Sequence, residues 1–221
     1  MGRYTYPAMN NKEMPLDSLF YLFFYIFTLS IKDGFGQQCQ TGLDVVSSSG
    51  VMIEKTHDSK VEIDISMGLH PSSSIEFDFR PEADSSSGLV LASGDDSWED
   101  MAAMFLHKGK MVFARQCGLG NVFEIYRKKI DDGEWHSLKF IHNERGGEVY
   151  IDGERPFRQY HMGPCKAFTN AFIGGGLNQT PAATRWAKLD ESFFGCIKNL
   201  KINGRPPTTG FKYRLVSQCE T

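Results

Sequence analysis

One short stretch of the chain carries residue types that could perform catalysis. Residues 132–136 read DGEWH, and a histidine can act as a general base when one group orients it and a nucleophile lies within reach. In an extended strand, however, Trp135 and His136 project to opposite faces, so they do not share one site. The sequence also lacks the G-x-S-x-G, H-E-x-x-H and Cys–His signatures that would supply the other catalytic groups. We therefore interpret the pair as structural and predict a non-enzymatic protein.

Two acidic residues raise the possibility of a glycoside hydrolase. Glu62 and Asp64 alternate along a predicted strand, and sandwich-fold glycosidases place an acid and a nucleophile on one face in this way. The alternation continues to Ser66, where a third carboxylate is missing. A solvated strand face explains both acids equally well, so a glycosidase is only a minor alternative.

A run of three glycines at residues 174–176 could suggest a phosphate-binding turn. Such a turn needs a helix N-terminus behind it, so that backbone N–H groups face the anion. Residues 177–181, LNQTP, are a poor helix start, and a turn that ends a strand is predicted instead. The same segment contains an N-glycosylation sequon at Asn178, although Pro181 is expected to lower its occupancy.

The N-terminal region is predicted to be a targeting segment. Residues 19–31 read LFYLFFYIFTLSI, which is shorter than the roughly 20 residues of a bilayer span but suits the apolar core of a signal peptide. We predict a signal peptide or signal anchor over residues 1–36, a lead-in linker over 37–44 and one domain over 45–221. The protein would then be secreted or lie on the extracellular side of the plasma membrane, touching the membrane only if the segment stays uncleaved.

Cysteine usage fits an oxidising compartment. All five cysteines follow the predicted cleavage region: Cys39, Cys117, Cys165, Cys196 and Cys219. Their spacings match no zinc pattern, and disulfides are expected outside the cell. Because five is odd, one thiol is free or pairs with another chain or domain. A net charge of −3 gives no indication of nucleic-acid binding.

Period-two alternation of apolar and polar residues dominates the chain after residue 50. Val61, Ile63 and Ile65 alternate with acids, as do Ile75, Phe77 and Phe79, which is typical of strands with one buried face. Turn residues separate these runs. For example, Lys108-Gly109-Lys110 joins residues 101–107 to residues 111–115 as a hairpin. Many short strands without crossover helices predict an all-β antiparallel sandwich.

Three motifs in order resemble the laminin G (LNS) module, a member of the concanavalin A-like lectin/glucanase superfold. They are the DGEWH turn, FIGG at residues 172–175 and FGCIKNLKING at residues 194–204. The resemblance covers about residues 45–221 and implies a jelly-roll of two curved sheets. It also implies a disulfide between Cys196 and Cys219. We further expect a buried, structural Trp135 at the start of the strand through Leu138 and Phe140.

The resemblance also raises the question of calcium. Modules of this kind often hold one Ca²⁺ at the rim, and by register Asp100 matches the acidic ligand while Cys117 would offer its backbone carbonyl. The loop that supplies the second acidic ligand, residues 163–169, reads GPCKAFT and has a lysine but no acid. Asp95, Asp96 and Glu99 are near in sequence and could compensate.

The function implied by the resemblance is adhesion or matrix binding through rim loops, with an extracellular matrix or cell-surface protein or glycan as partner. The main alternative is a carrier of a steroid or lipid between the sheets, for which the small residues Ala102, Ala103 and Ala114 are a hint. Basic residues could bind sulfated glycans or merely form solvated faces. They are Arg127, Lys128, Lys129, Lys198, Lys201, Arg205, Lys212 and Arg214.

Overall fold

The computed structural model describes residues 43–65, 69–83, 85–118, 120–143, 147–157, 164–175, 192–207 and 210–219. They belong to one compact unit, Gly42–Thr221. These residues form strands and turns without a helix, so no helix in this part of the chain could cross a membrane. The predicted signal segment, most of the predicted linker, Cys39 and the Asn178 sequon lie outside the described residues.

Thirteen strands make up the described part of the chain. They are β1 (Val51–Ile53), β2 (Lys60–Ile63), β3 (Ser74–Pro81), β4 (Ser87–Gly94), β5 (Met101–His107), β6 (Lys110–Cys117), β7 (Gly120–Ile125), β8 (His136–Ile141), β9 (Glu148–Ile151), β10 (Asn170–Gly174), β11 (Gly195–Ile202), β12 (Phe211–Arg214) and β13 (Val216–Gln218). A six-stranded sheet has the order β13-β1-β11-β3-β8-β9, and a seven-stranded sheet has the order β12-β2-β10-β4-β5-β6-β7. Neighbouring strands pair antiparallel, so the predicted all-β sandwich is confirmed.

The alternation in the sequence places the core between the two sheets. In β3, Ile75, Phe77 and Phe79 are buried, while Glu76 and Asp78 are only partly buried and face outward. Successive strand residues point to opposite faces, and therefore the apolar side of each strand meets the other sheet.

Aromatic rings fill much of this interior. The ring of Phe113 lies 5.5 Å from that of Phe157 and 6.4 Å from that of Phe140 between centroids. Phe140 in turn stacks on Phe168 at 6.4 Å. Such contacts fall in the range where aromatic pairs attract beyond simple burial.

A tight turn joins β5 to β6, as the sequence predicts. Lys108 and Gly109 both adopt positive φ, at 52° and 74°, which is the backbone of a two-residue type I′ hairpin turn. The hairpin sets β5 and β6 in register from Met101 opposite Gln116 to His107 opposite Lys110. Cys117, the last residue of β6, thereby comes close to the start of β5.

The expectation of a buried Trp135 is wrong. The register of β3 and β8 places His136 opposite Phe79, and the imidazole lies beside the Phe79 ring at 5.7 Å on the inner side. Trp135 therefore projects outward, where it is half-buried. Two cations lie over its ring, with Lys198 Nζ 3.8 Å and Arg80 Cζ 5.1 Å from the ring centroid. The prediction that Trp135 and His136 occupy opposite faces is confirmed.

The seven-stranded sheet has a second apolar cluster on its outer face. Its members are Leu89, Ala92, Met101, Ala103, Phe105, Val112, Ala114 and Phe172, with Trp98 packed against them. Ala102 faces the core between the sheets. Two of the three alanines that hinted at a ligand cavity thus lie on the other face of the sheet.

Candidate functional site at the Asp100 rim

The loop between β4 and β5 ends in a buried carboxylate, Asp100, which is 4% exposed. One of its oxygens, Oδ1, accepts the backbone N–H of Gly118 at 2.9 Å, and Oδ2 accepts the backbone N–H of Lys166 at 2.8 Å. These bonds hold the end of β6 and the loop before β10 against the loop of Asp100. We call this end of the sandwich, residues 95–100, 117–118 and 164–169, the Asp100 rim.

A disulfide fixes the same two segments. Cys117 bonds to Cys165, with Cα atoms 4.9 Å apart, and each cysteine directly precedes a residue that donates to Asp100. The covalent bond therefore holds the Gly118 and Lys166 amides over one carboxylate. Sequence reasoning left the pairing of Cys117 and Cys165 open. The available signal was that the calcium expectation already involved both places, namely Cys117 itself and the loop of residues 163–169, which contains Cys165.

Asp95 organises the inner part of the loop. Its carboxylate accepts the backbone N–H of Glu99 at 3.0 Å and the Ser97 hydroxyl at 2.9 Å, and the Lys166 ammonium lies 3.1 Å from Oδ2. Burial alone would raise the pKa of Asp95, but the bonds from Ser97 and Lys166 outweigh it and lower that pKa. The same ion pair raises the pKa of Lys166.

The outer part of the rim presents polar groups to solvent. Asp96 is exposed, and its Oδ1 accepts the Thr169 hydroxyl at 2.6 Å and the Asn170 amide at 3.2 Å. Glu99 is also exposed, with its carboxylate 3.5 Å from the Lys166 ammonium. Neither Lys166 nor Thr169 was identified as a functional residue from the sequence.

A buried histidine packs against the rim loop. His142 is 1% exposed and its ring lies 4.1 Å from that of Phe168, which belongs to the rim loop. Burial lowers the pKa of His142 to about 4, so the imidazole is neutral at physiological pH. Within the described part of the chain, its Nδ1 has no hydrogen-bond partner.

Calcium is the ion expected at this rim, with Asp100 as its acidic ligand. Calcium takes six to eight oxygen ligands, often from several carboxylates, whereas both oxygens of Asp100 already accept backbone N–H groups. The Lys166 ammonium provides a positive charge at Asp95. The described residues contain no group of three or more acidic, histidine or cysteine side chains arranged to hold a metal.

His136 is the first residue of β8, and each of its ring nitrogens lies beside a carboxylate. Its Nδ1 lies 2.9 Å from Asp152 Oδ2, and its Nε2 lies 3.1 Å from Asp132 Oδ1. Burial alone would lower the pKa of His136, but the two carboxylates outweigh it and raise that pKa. Both carboxylates therefore favour the protonated imidazolium, in which each ring nitrogen is a donor.

The other sequence candidates take structural positions. Glu62 lies 2.7 Å from the Lys60 ammonium, and exposed Asp64 follows the end of β2, as expected for a solvated strand face. Gly174 ends β10, and the Gly175 N–H donates to the Ser59 carbonyl at 2.6 Å. That amide is therefore not available to bind a phosphate.

The cysteines that close the domain are joined. Cys196 in β11 bonds to Cys219, with Cα atoms 5.9 Å apart, as the resemblance implies. Several basic residues of the predicted clusters are paired with acids. Lys128 contacts Glu154 at 2.7 Å, and Arg214 contacts Asp58 at 3.2 Å, which supports the interpretation of solvated faces for these positions.

Comparisons with known proteins agree with the fold and with the motifs. The family model of the laminin G domain matches residues 79–205. Two relatives are mouse laminin subunit alpha-4, 27% identical over 65% of this chain, and the mouse basement membrane-specific heparan sulfate proteoglycan core protein, 31% identical over 60%. Among solved structures, domains LG4-5 of the mouse laminin alpha1 chain align with a TM-score of 0.57 and 19% identity, covering 82% of this chain and 51% of that chain.

The chain belongs to the laminin G domain family. It spans only 8% of the laminin subunit alpha-4 sequence and 4% of the proteoglycan core protein. Relatives of this family come from matrix and adhesion proteins, including neurexin 1 of Drosophila melanogaster at 29% identity over 60% of this chain. Family membership therefore places the chain among the binding modules found in matrix and adhesion proteins.

Proposed function

We propose that this chain is an extracellular adhesion module that binds a matrix or cell-surface protein or glycan through the Asp100 rim. The proposal rests on the observation that both a disulfide and hydrogen bonds hold the rim in place. The Cys117–Cys165 disulfide and the two bonds to Asp100 hold three segments together, and exposed Asp96, Glu99 and Lys166 project from them. Loops held on a rigid scaffold are the usual place for binding residues.

The charge of the rim indicates the kind of partner. Residues 95–100 and 164–169 contain four carboxylates and one ammonium, so a partner with a basic surface would gain from electrostatic complementarity. Asp95 and Asp100 are buried, which leaves Asp96 and Glu99 as the contact residues.

Binding of the secreted protein to immobilised basement-membrane extract tests the proposal. The double variant Asp96→Lys/Glu99→Lys should reduce binding at least tenfold. As a matched control, Glu134→Lys reverses an exposed charge in the turn at the opposite end of the sandwich and should bind as the wild type does. Equal binding by all three proteins would exclude the Asp100 rim as the contact surface.

Calcium binding at the rim is a separate proposal, and it requires a rearrangement of the hydrogen bonds to Asp100. We propose that any Ca²⁺ here binds at the weak end of the extracellular range, about 10⁻⁴–10⁻³ M, because Asp100 would have to release backbone N–H groups. Calcium at ten times its dissociation constant would then raise the unfolding free energy by roughly 1.4 kcal/mol. Thermal melts of the wild type, Asp100→Ala and Lys166→Met in calcium and in chelator test this. An unchanged wild-type melting temperature would overturn it.

The alternatives lack comparable support in the described residues. A steroid or lipid carrier needs space between the sheets, where Phe113, Phe140 and Phe157 are in contact. A glycosidase needs a carboxylic acid with a raised pKa. Among the described carboxyl groups whose pKa shifts, Glu76, Asp95, Asp132 and Glu154 all shift downward.

A further inference from the structure

The outer face of the six-stranded sheet contains a groove that lies apart from the residues of the Asp100 rim. It crosses β11, β3, β8 and β9 and has a volume of about 550 Å³. A second depression of about 430 Å³ shares Glu76 and Lys139 with it and extends to the turn of Ser72 and Ser73. Both volumes lie in the range of small-molecule sites, and together they form an elongated groove suited to a ligand of several units.

A β-bulge shapes the centre of the groove. The register of β11 and β3 shifts between Lys198 and Lys201, and Asn199 there adopts a φ of 56°. Bulges re-aim side chains and are common beside functional sites. Here the Asn199 amide donates to Asp78 Oδ2 at 2.6 Å, which places an amide and a carboxylate side by side in the groove wall.

The other polar groups are also held in fixed positions. Glu76 accepts the Ser74 hydroxyl at 2.9 Å and pairs with the Lys139 ammonium at 3.0 Å. The Tyr150 hydroxyl donates to Glu148 at 3.0 Å, and its ring lines the groove. Groups fixed in this way lose little side-chain entropy when a ligand binds.

Charge balance favours a neutral ligand. The groove is lined by two carboxylates, Glu76 and Asp78, and two ammonium groups, Lys139 and Lys201, and Lys139 is already paired with Glu76. An anionic ligand would have to compete with these carboxylates. A ligand that offers many hydroxyl groups, each both donor and acceptor, matches a wall that alternates amide, carboxylate, ammonium and hydroxyl groups.

We propose that this groove binds a neutral oligosaccharide, with Asp78 and Asn199 bonding its hydroxyls and the Tyr150 ring packing against a sugar face. The proposal rests on the extracellular function proposed above and adds a second site to it. The groove binds and does not cleave. Burial alone would raise the pKa of Glu76, but Lys139 and Ser74 outweigh it and lower that pKa, whereas a glycosidic general acid needs a raised one.

A glycan array that carries neutral, sialylated and sulfated oligosaccharides identifies the ligand, and titration calorimetry with the strongest neutral oligosaccharide measures the affinity. Ser137→Tyr places a large ring in the groove from an exposed strand position, and Asp78→Asn removes the carboxylate at similar size. Both should weaken binding at least tenfold. Lys212→Tyr adds the same ring to an exposed position of β12 in the other sheet and should leave the affinity unchanged.

The outcomes separate the two proposals. Neutral-glycan binding that is lost in Ser137→Tyr and kept in Asp96→Lys/Glu99→Lys supports the groove. Binding of sulfated glycans alone, no glycan binding, or neutral binding that Ser137→Tyr leaves intact would overturn the groove. In each of these cases, binding to basement-membrane extract through the Asp100 rim would still be measured independently.

Discussion

The backbone N–H of Lys166 donates to the carboxylate of Asp100 at 2.8 Å, although 66 residues separate them in the sequence. The second oxygen of the same carboxylate accepts the Gly118 N–H at 2.9 Å. Asp100 is thus a structural acceptor that joins two loops.

Asp100→Asn should therefore destabilise the protein even in the presence of a chelator. The introduced amide has one NH₂ group, which must face a backbone N–H donor and leaves it unsatisfied. We expect a loss of about 1–3 kcal/mol in the free energy of unfolding, measured by urea denaturation. Asp96→Asn is the control, because that side chain is exposed and its partners can form hydrogen bonds with water instead. Equal stability of the two variants would contradict this role of Asp100.

The Cys117–Cys165 bond should contribute more to stability than the Cys196–Cys219 bond. Their sequence separations are 48 and 23 residues, and the chain-entropy estimate gives about 4 kcal/mol for the longer loop and about 3 kcal/mol for the shorter. Double serine variants of each pair, compared by urea denaturation, test the order. Peptide mapping without reduction should recover both linked pairs from secreted protein, and a free thiol at any of the four positions would contradict the pairing.

His142 should make the protein sensitive to mild acid. Its pKa is lowered to about 4 in the folded state, below the value near 6.5 expected in the unfolded chain. The unfolded chain therefore binds more protons between these values, so stability is full above about pH 6.5 and falls as the pH drops. At pH 5 this group should lower the free energy of unfolding by about 2 kcal/mol.

Urea denaturation at pH 7 and pH 5 measures this loss. His142→Leu should lose about 2 kcal/mol less than the wild type does between the two pH values. Phe140→Leu disturbs the neighbouring aromatic packing but leaves Phe168 against the imidazole, so it should retain the wild-type dependence. An unaltered pH dependence in His142→Leu would show that other groups cause the acid sensitivity.

His136 should make stability depend on pH in the opposite direction. The carboxylates of Asp132 and Asp152 raise its pKa above the ordinary value, so its stabilising contribution is full below about pH 6.5 and is lost as the pH rises through the folded pKa. NMR titration of the His136 ring proton should show a midpoint above that of a free histidine. Asp152→Asn should lower this midpoint, and a midpoint that stays unchanged would disprove the ion pair.

The sequence was sufficient to predict the architecture because alternation and turn chemistry are local. Each buried triplet, such as Ile75, Phe77 and Phe79, is visible in the chain, and Lys108 with Gly109 fits one hairpin turn. The relation of Asp100 to Lys166 could not be predicted in this way. It depends on which loops meet at one end of the sandwich and on backbone amides, which carry no sequence signal.

The orientation of Trp135 could not be predicted from the sequence either. The alternation predicts that Trp135 and His136 face opposite sides, but it does not say which of them faces the core. A buried Trp135 is expected from the sequence as the anchor of the strand through Leu138 and Phe140. The two carboxylates that bind His136 nitrogens satisfy the imidazole at the sheet margin, so the register leaves the tryptophan outside.

Trp135 should contribute less to stability than a fully buried aromatic residue. Trp135→Ala should cost about 1–2 kcal/mol in the free energy of unfolding, because the ring loses partial burial and cation–π contacts with Lys198 and Arg80, which are worth about 0.5–2 kcal/mol. Phe79→Ala, a fully buried ring on the paired strand, should cost about 3–5 kcal/mol. Urea denaturation of both variants under one set of conditions provides the comparison. A Trp135→Ala loss as large as that of Phe79→Ala would mean that the tryptophan is part of the core, and that the register of β3 and β8 differs from the one described.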